Sequence, residues 1–510
     1  MDLATALAGF QDALTFYNLL FVLAGVVLGQ VVGAMPGIGP IMTMAIAIPF
    51  TFVLDPLPAI GFLVGVNKGG LVGGAIPAIL INTPGTPDAA ATALDGHPMA
   101  QKGKPLKALK MALFSSVSGD TFSDLVLITI SAPLAVIALQ MGPVEIFSVM
   151  VFAFAVISGM IGRSVAKGIF ATALGLFCAT VGLDPQFSTP RLIFGHIDLY
   201  NGFPIAAVAI GSLAVSEIFT RTGTPGIAGR PAVFIPKNQP ASDRGVSLKE
   251  FLSCKMILLR GALIGTTIGA IPGMGSTAAA FMSYASAKQS SDQPETFGKG
   301  NIKGIAATES ANSSVAGADF IPLLTLGLPG SASAALLISA FLIQGIQPGP
   351  LLFEEQGQLI YGLFGAMVMA NAMNLFAGLF GLRMWARIAA APSSIVFATA
   401  LVLCFTGVYL SSGGYFAVVV MLMFAVLGLV MTALGYPVVV FIIAFFLGPR
   451  FELSLGQTAT ILRGDVTRLT NHPVALAFLA LSLFVVYWLG VRGRKQTNPS
   501  VVKSLKEASK

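Results

Sequence analysis

The chain has 510 residues; 29 are Lys or Arg and 22 are Asp or Glu, so 10% are charged while 55% are apolar. A soluble domain carries about 25% charged residues, and a mean hydropathy of +0.85 leaves too little charge to cover a water-facing surface. These counts exclude a disordered chain, a disulfide scaffold, a nucleic-acid-binding protein and an ordinary cytosolic enzyme. They point to an all-α polytopic membrane protein.

In chain order, no Lys or Arg precedes the first apolar run, so the charged start of a cleavable signal is missing and the run is expected to stay as a membrane helix. Residues 13–54 contain no Asp, Glu, Lys, Arg or His, and neither do residues 388–449, which leave room for two or three crossings. Further spans are expected near 60–82, 108–138, 144–162, 166–184, 202–220, 256–275, 302–341, 357–382 and 474–491. About 11–12 transmembrane helices result. The segment 221–255 carries Arg221, Arg230, Lys237, Arg244, Lys249 and Lys255, and 492–510 is a basic tail. Both are expected in the cytoplasm, with the N-terminus outside. The chain therefore reads as an N-terminal half (1–220), a loop (221–255), a C-terminal half (256–491) and a tail (492–510).

An internal repeat organises the two halves. Residues 25–39, GVVLGQVVGAMPGIG, match residues 261–275, GALIGTTIGAIPGMG, at a constant offset. A second pair follows: Pro77-AILINT-Pro84-Gly85-Thr86 and Pro322-LLTLGL-Pro329-Gly330-Ser331. Each module, 14–110 and 256–355, thus carries a glycine ladder and two Pro-Gly breaks. The basic flank lies after the first module and before the second, which predicts that the two are inverted. Inverted repeats with interrupted helices are the mark of secondary transporters. The ladder glycines fall on one helix face and allow close packing. The breaks free backbone groups that lipid cannot satisfy, so protein, water or ligand must.

The residues at the breaks are the candidate site. For an anionic substrate these are Pro36, Gly37, Asn67, Lys68, Thr83, Pro84, Gly85, Thr86, Pro329, Gly330 and Ser331. Lys68 reads equally as a substrate contact or as an ion-paired lysine, and is the only base before His97. For a coupling cation the candidates are Gly39, Gly273, Gly275, Ser276, Thr277, Glu309 and Asn312, which offer carbonyls, hydroxyls and side-chain oxygens. Asp88, Asp95, Asp120 and Asp124 read as interfacial or ion-paired, and Glu145 and Glu217 as structural. The three cysteines and three histidines are scattered, with no CxxC pair and no HExxH, so neither a metal cluster nor a catalytic centre is expected.

The stretches GAMPGIGP, GGAIPAILINTPGTPDAAATALDGHPMAQKGK, GAIPGMGSTAAAFMSYASAK, FGKGNIKGIAATESANSSVAGADFIPLLTLGLPGSASAALL and QGIQPGP together resemble the large membrane subunit of bacterial tripartite tricarboxylate transporters, the TctA-like family. The resemblance runs over essentially the whole chain. It implies an inner-membrane secondary transporter for tricarboxylates or related organic acid anions. It also implies a small transmembrane subunit, a periplasmic substrate-binding protein and a sodium or proton gradient as partners, with no bound cofactor. The residues alone reach only an inverted-repeat secondary transporter; a stand-alone transporter or a channel for organic anions remains the alternative at this point.

Overall fold

A computed structural model of the chain describes residues 3–35, 39–160, 164–222, 240, 243, 245–273, 275–388, 393–411 and 414–496. The expected loop 221–255 and tail 492–510 fall partly outside this set, as do the site candidates Pro36 and Gly37. The fold is helical; the one small sheet among the described residues is the two-stranded pairing of Gly182–Leu183 with Pro190–Arg191. Six described helices are long and apolar enough to cross a membrane, and seven shorter apolar helices of 10–17 residues accompany them. Large apolar side chains on the outside, such as Phe16, Phe380, Leu410 and Leu483, face outward because lipid, not water, is the solvent there.

Each module begins with a hairpin. In the first, α2 (Phe16–Gly33) packs on α4 (Pro56–Ile81), with the short α3 (Pro40–Ala47) between them in sequence. In the second, α12 (Lys255–Gly269) packs on α14 (Ile302–Ala318), with α13 (Gly275–Gln289) between them. The glycine ladders make both contacts. Gly25, Gly29 and Gly33 lie against the carbonyls of Phe62, Val66 and Gly70; Gly261, Gly265 and Gly269 lie against those of Ala307, Ala311 and Val315. The three carbonyl positions are related by one offset of 245 residues, so the sequence repeat is also a repeat of backbone approach. A Cβ at Gly29 or Gly265 would overlap a carbonyl oxygen of the facing helix. Gly29→Val and Gly265→Val are each expected to destabilise the protein by about 1–3 kcal/mol or more, measured as a lower thermal midpoint in detergent. An unchanged midpoint would mean that the ladders are not packing seams.

The remaining helices of the modules cross over. After the first hairpin come α5 (Ala89–Gln101) and α6 (Pro105–Leu139); after the second come α15 (Phe320–Leu326), α16 (Ala332–Ile343) and α18 (Gly357–Ile388), with the single turn α17 (Leu352–Glu355) before the last. Helix α6 packs on α14 and α12 of the other module, and α18 packs on α4 and α2 of the first. Likewise α5 touches α14 and α13, while α16 touches α4 and α3. These four contacts of one module thus pair with four of the other. The stretch 302–341 differs from an uninterrupted span: it is cut at Asp319 and again between Leu326 and Ala332, where Gly327 has φ +72°. A left-handed residue followed by proline cannot continue a helix.

Candidate functional site

The paired breaks meet around one cavity of about 830 Å3. From the first module it is lined by Gly39, Asn67, Gly85, Thr86 and Asp88, and from the second by Gly273, Gly275, Ser276, Thr277 and Asn312. Asp319, Gly330 and Ser331 complete the second module's share, and Ser212, Ser216, Glu217 and the turn around Gly435 close the side. Ser212 sits in a π-helical turn, Ile210–Val215, of the kind that often marks functional sites.

Four helices start at this cavity. Helix α3 begins after Gly39, α5 after Asp88, α13 at Gly275 and α16 after Ser331. Their free amides and positive dipole ends favour an anion. The caps repeat as well: Thr86 accepts from the Ala89 amide at 3.3 Å, and Ser331 from the Ala334 amide at 3.2 Å. The Gly273 amide donates to the Gly330 carbonyl, joining the two breaks of the second module, and the Gly85 amide donates to the Gly74 carbonyl inside α4.

The same cavity holds acidic groups. Asp88 and Asp319 are 4% exposed, and each keeps one carboxylate oxygen without a hydrogen-bond partner. Thr86, Ser276 and Asn312 surround the Asp88 carboxyl, and Ser331 approaches that of Asp319. Asn67 and Asn312 occupy equivalent positions of the two modules at the 245-residue offset. Both are buried, the Asn67 carbonyl oxygen is unpaired, and so are both polar atoms of the Asn312 amide. Buried polar atoms are almost always paired, and this concentration at one cavity makes it the candidate binding site. No Lys or Arg lines it among the described residues.

Other sequence candidates lie elsewhere. Lys68 does not line the cavity. Its ammonium pairs with Asp120 and Asp124 at 2.8 Å each and donates to Asn371 at 3.2 Å. Asn371 also donates to Asp124, and Asn374 of α18 donates to the Lys68 carbonyl. Gln30 extends this network by donating to Asn374 and accepting from Trp385. This is the ion-paired alternative for Lys68, with three helices joined through it. Glu309 is buried behind the lining and accepts from Thr92 at 2.5 Å. The Thr83 hydroxyl returns to the Ile81 carbonyl, and Pro84 and Pro329 lie beside the lining without contributing to it. Asp95, expected to be interfacial or ion-paired, accepts three backbone amides, from Gly298, Gly300 and Asn301, and the Tyr284 hydroxyl. It ties the loop before α14 to α5. At the basic end of the bundle Lys107 pairs with Glu250, and hydrogen bonding from Lys107 holds that carboxyl below its ordinary value.

Sequence reasoning missed Asp88 and Asp319 as cavity residues. Asp88 is two residues past a break, and Asp319 lies ten residues past Glu309, following the polar run Thr308–Ser313 that the sequence offers as a cation-site candidate. The signal available was the second offset: aligning the modules on Pro77 and Pro322 equates Asn67 with Asn312, and places the acids at positions held by Ser333 and Gly74 in the opposite module.

Long apolar helices and a polar cavity at paired helix breaks define a multi-pass membrane protein of the transporter class. The chain belongs to the tripartite tricarboxylate transporter TctA family, which matches residues 19–443, as the large membrane subunit of such a system. It is 34% identical over 497 residues to an uncharacterized 52.8 kDa protein in the TAR-I ttuC' 3'region of Agrobacterium vitis, covering 95% of this chain and 96% of the relative. An uncharacterized protein in the TAR-II ttuC' 3'region of the same organism is 34% identical over 222 residues, 44% of this chain and 92% of that protein. No solved structure matches the chain.

Proposed function

We propose that this subunit imports organic carboxylates by cation symport, binding anion and cation together in the cavity between the paired breaks. The observation that carries this is the lining itself: helix N-termini for carboxylates, beside two buried, partly unpaired aspartates, with no basic side chain described. An anion alone would be repelled by Asp88 and Asp319, and a cation alone would leave the amides unused. Each charge lowers the cost of burying the other, which is the physical basis of coupling. The Asp88, Asp319, Ser276, Thr277 and Asn312 oxygens suit a hard cation such as sodium; the Gly85–Thr86 and Gly330–Ser331 segments suit the substrate.

The crossed contacts between the modules support an inverted repeat, and the basic residues of 221–255 and of the tail favour a periplasmic N-terminus and a cytoplasmic C-terminus in a bacterial inner membrane. The family's tripartite character supports a small membrane subunit and a periplasmic binding protein as partners, since this chain holds no polar segment long enough for a binding domain. The test is uptake of labelled citrate and succinate by cells expressing the chain with its partner subunits, with and without a sodium gradient, and with a pH gradient alone. Gradient-dependent uptake of either acid is expected. No uptake of any member of a di- and tricarboxylate panel would refute the proposal.

A further inference from the structure

We infer a second carboxylate-binding site at Arg450, on the far side of the Gly327–Gly330 break from the central cavity, where the anion is held before it moves inward. The inference rests on the function proposed above. A separate cavity of about 1040 Å3 lies between the end of α6, the loop before α17 and α21 (Val438–Leu462). Ala138 and Leu139 line it, at the end of α6 opposite to Lys104 and Lys107. Helix α6 has 35 residues, about 52 Å at 1.5 Å per residue, so the cavity and the basic face lie at opposite ends of the bundle. The positive-inside rule makes this the outer end.

Arg450 faces this cavity directly after Pro449, which interrupts the hydrogen-bond ladder of α21. Among the described residues its one hydrogen bond goes from Nη1 to the Pro348 carbonyl at 3.0 Å. No described carboxylate pairs with it: Glu452 is held in a fork by Arg191, which also reaches Asp184, and Glu355 lines the cavity without forming an ion pair to Arg450. A guanidinium has five N–H donors in a planar fork that matches a carboxylate, and four of these remain. The surroundings are built for the group. A Cβ on Gly349 would stand 3.0 Å from Nη1, and one on Gly327 would overlap it, while both glycines have positive φ. This accounts for the QGIQPGP stretch, residues 344–350, which the central cavity leaves unused.

The two cavities share the break. Gly327 lines the outer one and Gly330 the central one, three residues apart and so within about 11 Å even when extended. The break itself therefore separates the anion at Arg450 from the central cavity.

The test is initial-rate uptake of labelled citrate and succinate in cells carrying the full chain and its partners. Arg450→Gln is expected to raise the apparent KM about 30-fold, the effect of losing a charge-assisted contact, with the maximal rate within about twofold of wild type and the KM for efflux from preloaded cells unchanged. Arg450→Lys should lie between. Gln347→Glu, at an exposed cavity position, should raise the uptake KM while leaving the Pro348 contact intact, and decides the matter if Arg450→Gln fails to accumulate. An unchanged KM in these variants, or an equal rise for uptake and efflux, overturns the outer site. Wild-type transport with unaffected variants would sink this inference alone, whereas no carboxylate transport by wild type would sink the proposed function with it.

Discussion

Asp88→Asn and Asp319→Asn are expected to lower gradient-driven uptake by about 100-fold, the loss of one charge-assisted contact of about 2–3 kcal/mol at a buried carboxylate. The same variants should be more stable than wild type. Each aspartate has a carboxylate oxygen with no partner while more than nine-tenths buried, and an unpaired buried charge is costly. Removing it relieves that cost, so the thermal midpoint in detergent should rise as transport falls. This opposite movement is the signature of a residue kept for function against stability. Serine at either position tests the oxygen-ligand idea further by shortening the reach. If the asparagine variants transport with an unchanged response to the cation gradient, the aspartates are not the coupling ligands.

The second large effect concerns Lys68. Lys68→Met should prevent the protein from accumulating, because it leaves Asp120 and Asp124 buried together with no counter-charge. Breaking one partner of a buried ion pair costs about 3–5 kcal/mol, comparable with the whole stability of many proteins. The test is accumulation and monodispersity on size-exclusion chromatography. The triple variant Lys68→Met, Asp120→Asn, Asp124→Asn removes all three charges and is expected to restore the folded protein. A substrate-binding lysine predicts the reverse: Lys68→Met would accumulate normally and only fail to transport. The two roles are therefore separated by whether the single variant folds.

Lys68 also shows where residue-by-residue reading stops. A lysine in an apolar, glycine-rich run must have a partner, and the sequence contains several carboxylates that could supply it. Asp120 and Asp124 lie more than 50 residues away, one helical turn apart on α6, and Asn371 is about 300 residues distant. Only the crossing of α6 and α18 over α4 brings them to the ammonium. Asp88 shows the complementary failure. Its neighbours Thr86, Ser276 and Asn312 come from both modules, so nothing local distinguishes it from Asp95, whose carboxylate is saturated by backbone amides.

The sequence by itself determined the membrane class, the two modules, the glycine seams and the Pro-Gly breaks. These follow from hydropathy, from the absence of a Cβ and from the missing proline donor, all of which act on near neighbours. Tertiary structure alone decided that four break segments from two modules share one cavity. It also decided that Asp88 and Asp319 enter that cavity while Lys68 and Glu309 do not, and that Arg450 stands at the other end of the Gly327–Gly330 break. Those outcomes depend on which helix crosses which, and the energy that sets a crossing is spread over many packed contacts along each helix rather than written in any one residue.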